Sequence, residues 1–181
     1  MSITNFEQIE ELFRQHSVER IYVKTLAAKQ DNDKNQIYLA SKGSANSILT
    51  VFPAELNYRS PSASTKKRKS ESGKPKIEML LDFKWLDFDG RCYPAPEAKI
   101  INYFQYPEAR FSGFLKGCKK PPDALRRTRQ AEYGKRILFL GPNDTGDTFG
   151  LVVTEKEDPV TLNMPELSAS TMFPALCEHV I

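Results

Sequence analysis

Cysteine is sparse in this chain. Cys92, Cys118 and Cys177 are an odd number at wide spacing, which fits neither a disulfide framework nor a thiolate zinc site. Histidine is scarcer still, with only His16 and His179, and neither has an obvious partner for catalysis. No Gly-x-Ser-x-Gly elbow occurs, so nucleophilic hydrolysis lacks its usual parts. Gly141, Gly146 and Gly150 read as hairpin glycines, because the lysine and helix that complete a phosphate-cradling loop are missing. No apolar run reaches the length of about eighteen residues needed for a transmembrane helix. The opening stretch Phe6–Glu11 (FEQIEE) lacks the basic start and apolar core of a secretory signal. These absences lead to the expectation of a cytoplasmic protein, without membrane contact, whose thiols stay reduced. Cys118 lies among Lys116, Lys119 and Lys120, a setting expected to lower a thiol pKa.

What the chain does have is an uneven distribution of charge. The net charge is +3 over 181 residues. Residues 58–136, however, carry 19 basic and 9 acidic side chains, a net of +10, against −1 for residues 1–57 and −6 for residues 137–181. An electropositive region within one domain is the footprint expected of a polyanion ligand. At this length, and with 40% apolar residues, a single domain over residues 1–181 with an ordinary core is expected.

Hydrophobic spacing outlines the elements. Phe6, Ile9, Leu12 and Phe13 recur at helical intervals between Thr4 and His16, and Thr4 with Glu7 has the form of a capping box. Glu19–Leu26 and Ile37–Leu39 read as strands separated by the polar stretch Lys29–Gln36 (KQDNDKNQ). Ser44–Phe52 is helix-like and stopped by Pro53. Residues 59–76 contain no large apolar side chain and are expected to form a flexible basic loop. Ile77–Asp87 (IEMLLDFKWLD) has strand length, with a hairpin turn at Asp89-Gly90. Ala98–Phe104 and Phe111–Leu115 are further strands, and Pro122–Tyr133 is a basic stretch with helix-like content. Lys135–Leu140 and Thr148–Thr154 form a hairpin, and helix-like content returns after Pro165. Strands spaced this closely leave no room for parallel crossovers. The expected fold is therefore mainly β, mostly antiparallel, a partly open barrel with flanking helices.

Two chemistries compete for the polar residues. Metal-dependent nucleases place an acidic residue ahead of a Glu-x-Lys triplet, and Asp82 or Asp87 followed by Glu97 and Lys99 has that outline. Random placement of the 23 acidic residues and 16 lysines yields about two acidic-x-Lys triplets, and two occur. This pattern does not rise above chance. Reading bases in the major groove instead requires Arg or Lys for guanine, Asn or Gln for adenine, and Asp or Glu for cytosine. Lys24, Asn32, Asp33, Lys34, Asn35 and Gln36 concentrate such groups around one inter-strand segment; Glu108, Arg110 and Ser112 do so in a second. Lys66, Lys67, Arg68 and Lys69, with Lys116, Lys119, Lys120, Arg126, Arg127 and Arg129, are the candidates for phosphate contacts. The plainer reading of each segment is a solvated turn.

Several stretches also carry a family resemblance. Tyr22–Leu26 (YVKTL), Asn32–Leu39 (NDKNQIYL) and Val51–Pro53 (VFP) resemble the N-terminal domain of EcoRII-type restriction endonucleases. Tyr106–Cys118 (YPEARFSGFLKGC) and Gly134–Gly141 (GKRILFLG) are similar to the same region in proteins that join it to an MvaI/BcnI-type nuclease, the UbaLAI-like arrangement. The resemblance covers roughly residues 20–154. It implies a DNA-binding pseudobarrel whose two arms, here Lys24–Gln36 and Tyr106–Lys116, enter the major groove at CC(A/T)GG. It further implies a bacterial, monomeric effector domain without a cofactor or catalytic residues of its own. Such a domain binds double-stranded DNA and stimulates a separate, Mg²⁺-dependent nuclease domain, C-terminal to it in the same protein. Residues 59–76 are longer and more basic than that family's pattern.

Neutralising Lys66, Lys67, Arg68 and Lys69 together is expected to weaken all duplexes alike. It should also lower the salt slope of binding by about 0.9 for each phosphate no longer neutralised. Titrations across a salt series measure this, and an unchanged slope would show that the cluster does not touch DNA.

Overall fold

The computed structural model describes residues 6–26, 36–39, 68–69, 75–76, 78–101, 110–126 and 130–154. Helix α1 (Phe6–Arg14) comes first. It is followed by β1 (Tyr22–Leu26), β2 (Gln36–Tyr38), β3 (Arg68–Lys69), β4 (Pro75–Lys76), β5 (Glu78–Leu80) and β6 (Asp82–Leu86). Next come β7 (Cys92–Pro94), β8 (Lys99–Ile101), β9 (Arg110–Ser112), two 3₁₀ turns at Asp123–Leu125 and Gln130–Tyr133, β10 (Arg136–Pro142) and β11 (Asp147–Thr154). The strands form a five-stranded sheet of order β1-β10-β11-β6-β7, a four-stranded sheet of order β2-β9-β8-β5, and the small pair β3-β4. The protein is mainly β, and among the described residues no helix is long and apolar enough to cross a membrane.

Helix α1 forms because Ile9, Leu12 and Phe13 fall on one face, which is buried against the outer side of the five-stranded sheet. The helix ends in a Schellman arrangement. Val18 N–H bonds the Phe13 carbonyl and Ser17 N–H bonds that of Arg14, with Ser17 in left-handed geometry at φ 59°. Buried Val18 then packs in the same cluster as Phe13.

Strands β10 and β11 are buried on both faces, so alternation decides which core each side chain enters. Ile137, Phe139, Phe149, Leu151 and Val153 face α1, whereas Leu138, Leu140 and Val152 point between the sheets. The inter-sheet core centres on Trp85, 1% exposed, whose indole N–H donates to the Phe114 carbonyl at 2.7 Å. Phe83 and Phe111 meet the Trp85 ring edge-on at 4.8 and 6.3 Å. Phe111 and Phe114 stack at 4.9 Å.

The apolar run 77–87 is not one strand. It divides into β5 and β6, which lie in different sheets, and Leu81 makes the passage with its N–H on the Ala98 carbonyl at 3.0 Å. The return strand bends across the same gap at Ala95–Ala98, where Ala95 N–H holds the Phe83 carbonyl at 2.8 Å. Residues 78–101 thus form one bent ribbon that joins the two sheets. The expected turn at Asp89-Gly90 is present as a three-residue connection, with Gly90 at φ 80° and Asp87 N–H bonded to the Arg91 carbonyl.

The antiparallel expectation holds for every strand pair except one. β6 and β11 run parallel, with Phe83 opposite Thr148; the long intervening chain supplies the crossover that a hairpin cannot. The basic stretch 122–133 yields two 3₁₀ turns rather than an α-helix. Within 59–76, β3 and β4 pair antiparallel. The helices expected at Ser44–Phe52 and after Pro165, and the Thr4 cap, lie outside the described residues.

Gly141 and Gly150 both lie in the strands of the β10–β11 hairpin, Gly141 within β10 rather than in the turn, and both are points of close approach. A Cβ at Gly150 would meet Phe83 Cζ at 2.5 Å and Trp85 Cζ3 at 2.8 Å. Gly150→Ala is therefore expected to destabilise the chain by about 1–3 kcal/mol through overpacking. Urea unfolding measures it, and a neutral result would mean the aromatic cluster has slack.

Candidate nucleic-acid interface

The outer face of the four-stranded sheet collects polar side chains from strands far apart in sequence. Ile37, Phe111 and Ile100 are in register and fully buried, so their neighbours in each strand turn outward. One outward row is Gln36, Ser112 and Lys99, continued by Leu80; the next is Tyr38, Arg110 and Ile101. Tyr38 and Leu80 are large apolar residues that stay exposed, at 39% and 36%. The Arg110 guanidinium lies over the Tyr38 ring, 4.8 Å from its centroid, a stacking that holds the arginine in place.

Three of the nine residues expected to contact bases therefore share one face: Gln36, Arg110 and Ser112. Lys24 is placed differently. It is 4% exposed, and its ammonium donates to the Tyr38 carbonyl behind the ribbon. Asn32, Asp33, Lys34, Asn35 and Glu108 lie outside the described residues. Antiparallel pairing of β2 with β9 puts Gln36 opposite Ser112 and Tyr38 opposite Arg110. Residues 27–35 accordingly join the pair at one end and residues 102–109 at the other. Sequence reasoning overlooked Tyr38, and it assigned Lys99 only to the nuclease alternative. Period-two spacing from Gln36 already put Tyr38 on that face.

The turn after β9 is set by Gly113 at φ 71°, where an added Cβ would strike the Glu97 carbonyl. It leads to the cationic residues. Lys116 is exposed and paired with Glu97 at 2.7 Å. Lys119 and Lys120 are exposed, with the Lys120 ammonium 5.2 Å from the centroid of the Tyr93 ring. Arg126 pairs with Asp123 at 2.9 Å. Arg68 and Lys69 are described only as strand backbone, and Lys66, Lys67, Arg127 and Arg129 fall outside the described residues.

The acidic residues of the nuclease alternative are dispersed. Glu97 faces Lys116. Asp82 is exposed, and Lys84 of the same triplet pairs instead with Asp147 at 2.9 Å. Asp87 binds the Asp89 and Arg91 amides through Oδ1 and the Tyr93 hydroxyl through Oδ2. Among the described residues, no three His, Cys, Asp or Glu side chains converge as metal ligands.

The thiol expectation is reversed. Burial pushes the Cys118 thiol up, outweighing the hydrogen bond from the Lys120 backbone. Cys92 is likewise raised, by burial first, and its sulfur sits 3.8 Å from His16 Nε2. His16, without a sequence partner, stacks on Phe149 at 4.7 Å.

No protein-family model, curated protein or solved structure matches this chain.

Burial alone would raise the Asp87 carboxyl, but the Arg91 amide, the Tyr93 hydroxyl, the Asp89 amide and Lys120 together hold it below the usual carboxylate range. A group depressed in the folded state stabilises above its unfolded pKa, and that contribution disappears as pH falls through the folded value. Asp87→Asn is thus expected to be less stable than the wild type at pH 7, with the gap narrowing below about pH 4. Urea melts at pH 7 and pH 3 check this, and a gap that persists at pH 3 would show that the charge is immaterial.

Proposed function

We propose that this chain is a sequence-reading, duplex-DNA-binding module whose β2–β9 ribbon enters the major groove. One observation carries the reading. Gln36, Arg110 and Ser112, chosen for base-edge chemistry from two separate segments, are half-buried cross-strand neighbours on one outward face. A two-stranded β-ribbon is one of the two elements that the major groove admits. Here β2 and β9 are the outer pair of a four-stranded sheet, and the reading requires their outward side chains, rather than the β2 edge that faces β1, to enter the groove.

Each side chain then has a role matched to its donors and acceptors. Arg110, held against Tyr38, presents its guanidinium fork to guanine O6 and N7, and Gln36 suits adenine. Ser112 donates or accepts with either partner. Lys99, Lys116, Lys119 and Lys120 flank the ribbon and grip the sugar-phosphate rails. Three residues at about 3.4 Å each span about 10 Å, or roughly three base-pair steps. A five-base-pair site such as CC(A/T)GG therefore requires contacts from the chain beyond both ends of the ribbon. Residues 27–35 supply Lys34 for guanine and Asp33 for cytosine at one end, and residues 102–109 supply Glu108 for cytosine at the other.

The finer reading follows the family resemblance. The chain is the effector domain of a type IIE restriction endonuclease, acting as a monomer in the bacterial cytoplasm. Its pseudobarrel binds an additional copy of the site and so stimulates a separate Mg²⁺-dependent nuclease domain of the same protein. Two sheets joined by a bent ribbon on one side and by side-chain bonds between β1 and β2 on the other support an open-barrel description.

Selection from a random duplex library, followed by measured affinities for the enriched and scrambled sequences, tests the assignment. Arg110→Ala is expected to lose about 1–3 kcal/mol of discrimination at one base position while retaining most non-specific affinity. An unchanged ratio removes Arg110 from base reading. A preference for single strands over any duplex would recast Tyr38 as a stacking platform and end the duplex reading.

A further inference from the structure

A pocket of about 380 Å³ opens between the β6–β7 hairpin and the segment Lys119–Arg126, within the size range of small-ligand sites. Its apolar walls come from Trp85, Tyr93, Tyr133, Leu151, Val152 and Pro122. Trp85, Tyr133 and Leu151 are at most 5% exposed on this inner wall, so it is fixed by the core rather than by a surface loop. Tyr93 and the Pro121-Pro122 pair line the pocket together with the exposed Lys119 and Lys120. The Lys120 ammonium lies 5.2 Å from the Tyr93 ring centroid and must shift for a base to lie on that face. Neither Lys119 nor Lys120 has a carboxylate at ion-pair distance among the described residues, in contrast to Lys116 and Arg126, although Lys120 acts on the Asp87 carboxylate at longer range.

One polar group faces inward with acceptor capacity left. Asp87 Oδ1 already takes two backbone amides, but Oδ2 takes only the Tyr93 hydroxyl at 3.0 Å. The Tyr93 hydroxyl is in turn 3.5 Å from the Lys120 ammonium. A carboxylate oxygen accepts two hydrogen bonds comfortably, so Oδ2 is suited to one further N–H donor. The pocket therefore combines a slot for a planar ring, an acceptor for an amino group and two ammonium groups for an anion.

We propose that this pocket binds a nucleoside monophosphate unit whose base carries an exocyclic amino group. The base lies against Tyr93 with its amino group on Asp87, and the phosphate is held by Lys119 and Lys120. The unit arrives either as a free nucleotide or as a nucleotide swung out of a bound strand, for which the chemistry is the same. This site shares Lys119 and Lys120 with the phosphate contacts of the duplex-reading proposal but uses none of its base-reading residues, so titration with free nucleotides tests it independently of that reading.

Trp85 is the single tryptophan of the chain, and its fluorescence reports on the pocket. The full chain is titrated with dCMP, dAMP, dTMP, deoxycytidine and inorganic phosphate. The expected result is a saturable Trp85 change with dCMP and dAMP, about tenfold tighter than with dTMP or deoxycytidine, and none with phosphate in the same range. Lys119→Ala with Lys120→Ala should weaken dCMP by at least about tenfold, with thermal melts showing that the variant remains folded at the titration temperature. The proposal is overturned if dTMP binds as well as dCMP, if phosphate alone competes equally, or if the double variant binds unchanged. A duplex carrying 2-aminopurine, at concentrations where anisotropy shows it bound by both the wild type and the double variant, separates the two sources. A rise in its fluorescence on binding, lost in the double variant, assigns the site to an extruded nucleotide, whereas no rise assigns it to free nucleotides.

Discussion

The seam between the two sheets is held by side chains of β1, not by a backbone ladder. Tyr22 and Lys24 occupy the same face of β1, and they donate to the carbonyls of Leu39 and Tyr38 at the edge of the opposite sheet. Both donors are nearly inaccessible, at 0% and 4% exposure, and the Tyr22–Leu39 bond is fully buried, so water cannot substitute for either of its partners. Loss of the tyrosine hydroxyl would leave a buried carbonyl without that donor. The position of β2 depends on these two bonds together with its ladder to β9. Through β2 they determine where Gln36 and Tyr38 project.

On the opposite side, continuity of the chain achieves the same joining by different means. The ribbon 78–101 passes from one sheet to the other at Leu81 and at Ala95–Ala98, where fully buried alanines permit close passage. Trp85 and its aromatic neighbours fill the space between, and the Trp85 indole holds the carbonyl of Phe114 in the turn after β9. The cationic segment 116–126 is therefore anchored to the core at both ends, by Phe114 and by Ala124 and Leu125. An anchored cation costs less ordering entropy on meeting an anion than one on a free loop.

Much of the architecture was legible because period and propensity agreed. The α1 stripe, the alternation in β1 and the apolar hairpin β10–β11 each follow from local spacing. Where the reading failed, a tertiary contact overrode a local signal. Ile77–Asp87 looks like one strand, since nothing in an unbroken apolar run marks Leu81 as the point of transfer between sheets. Gly141 reads as the start of the hairpin turn, yet it lies in β10, where its lack of a side chain makes room for Val18. The lysines around Cys118 suggest an acidified thiol, but they point to solvent while burial acts on the sulfur.

By itself the sequence determined the composition of the candidate site: side chains with base-edge donors and acceptors in two segments, and a basic middle third. Whether those side chains would meet was a question of register. Only the antiparallel pairing of β2 with β9 made Gln36 a neighbour of Ser112 and Arg110 a neighbour of Tyr38, while Lys24, on β1 in the other sheet, is buried at the seam. Periodicity states which face of a strand a residue occupies. It does not state which strand lies alongside, because that follows from the packing of buried faces remote in sequence.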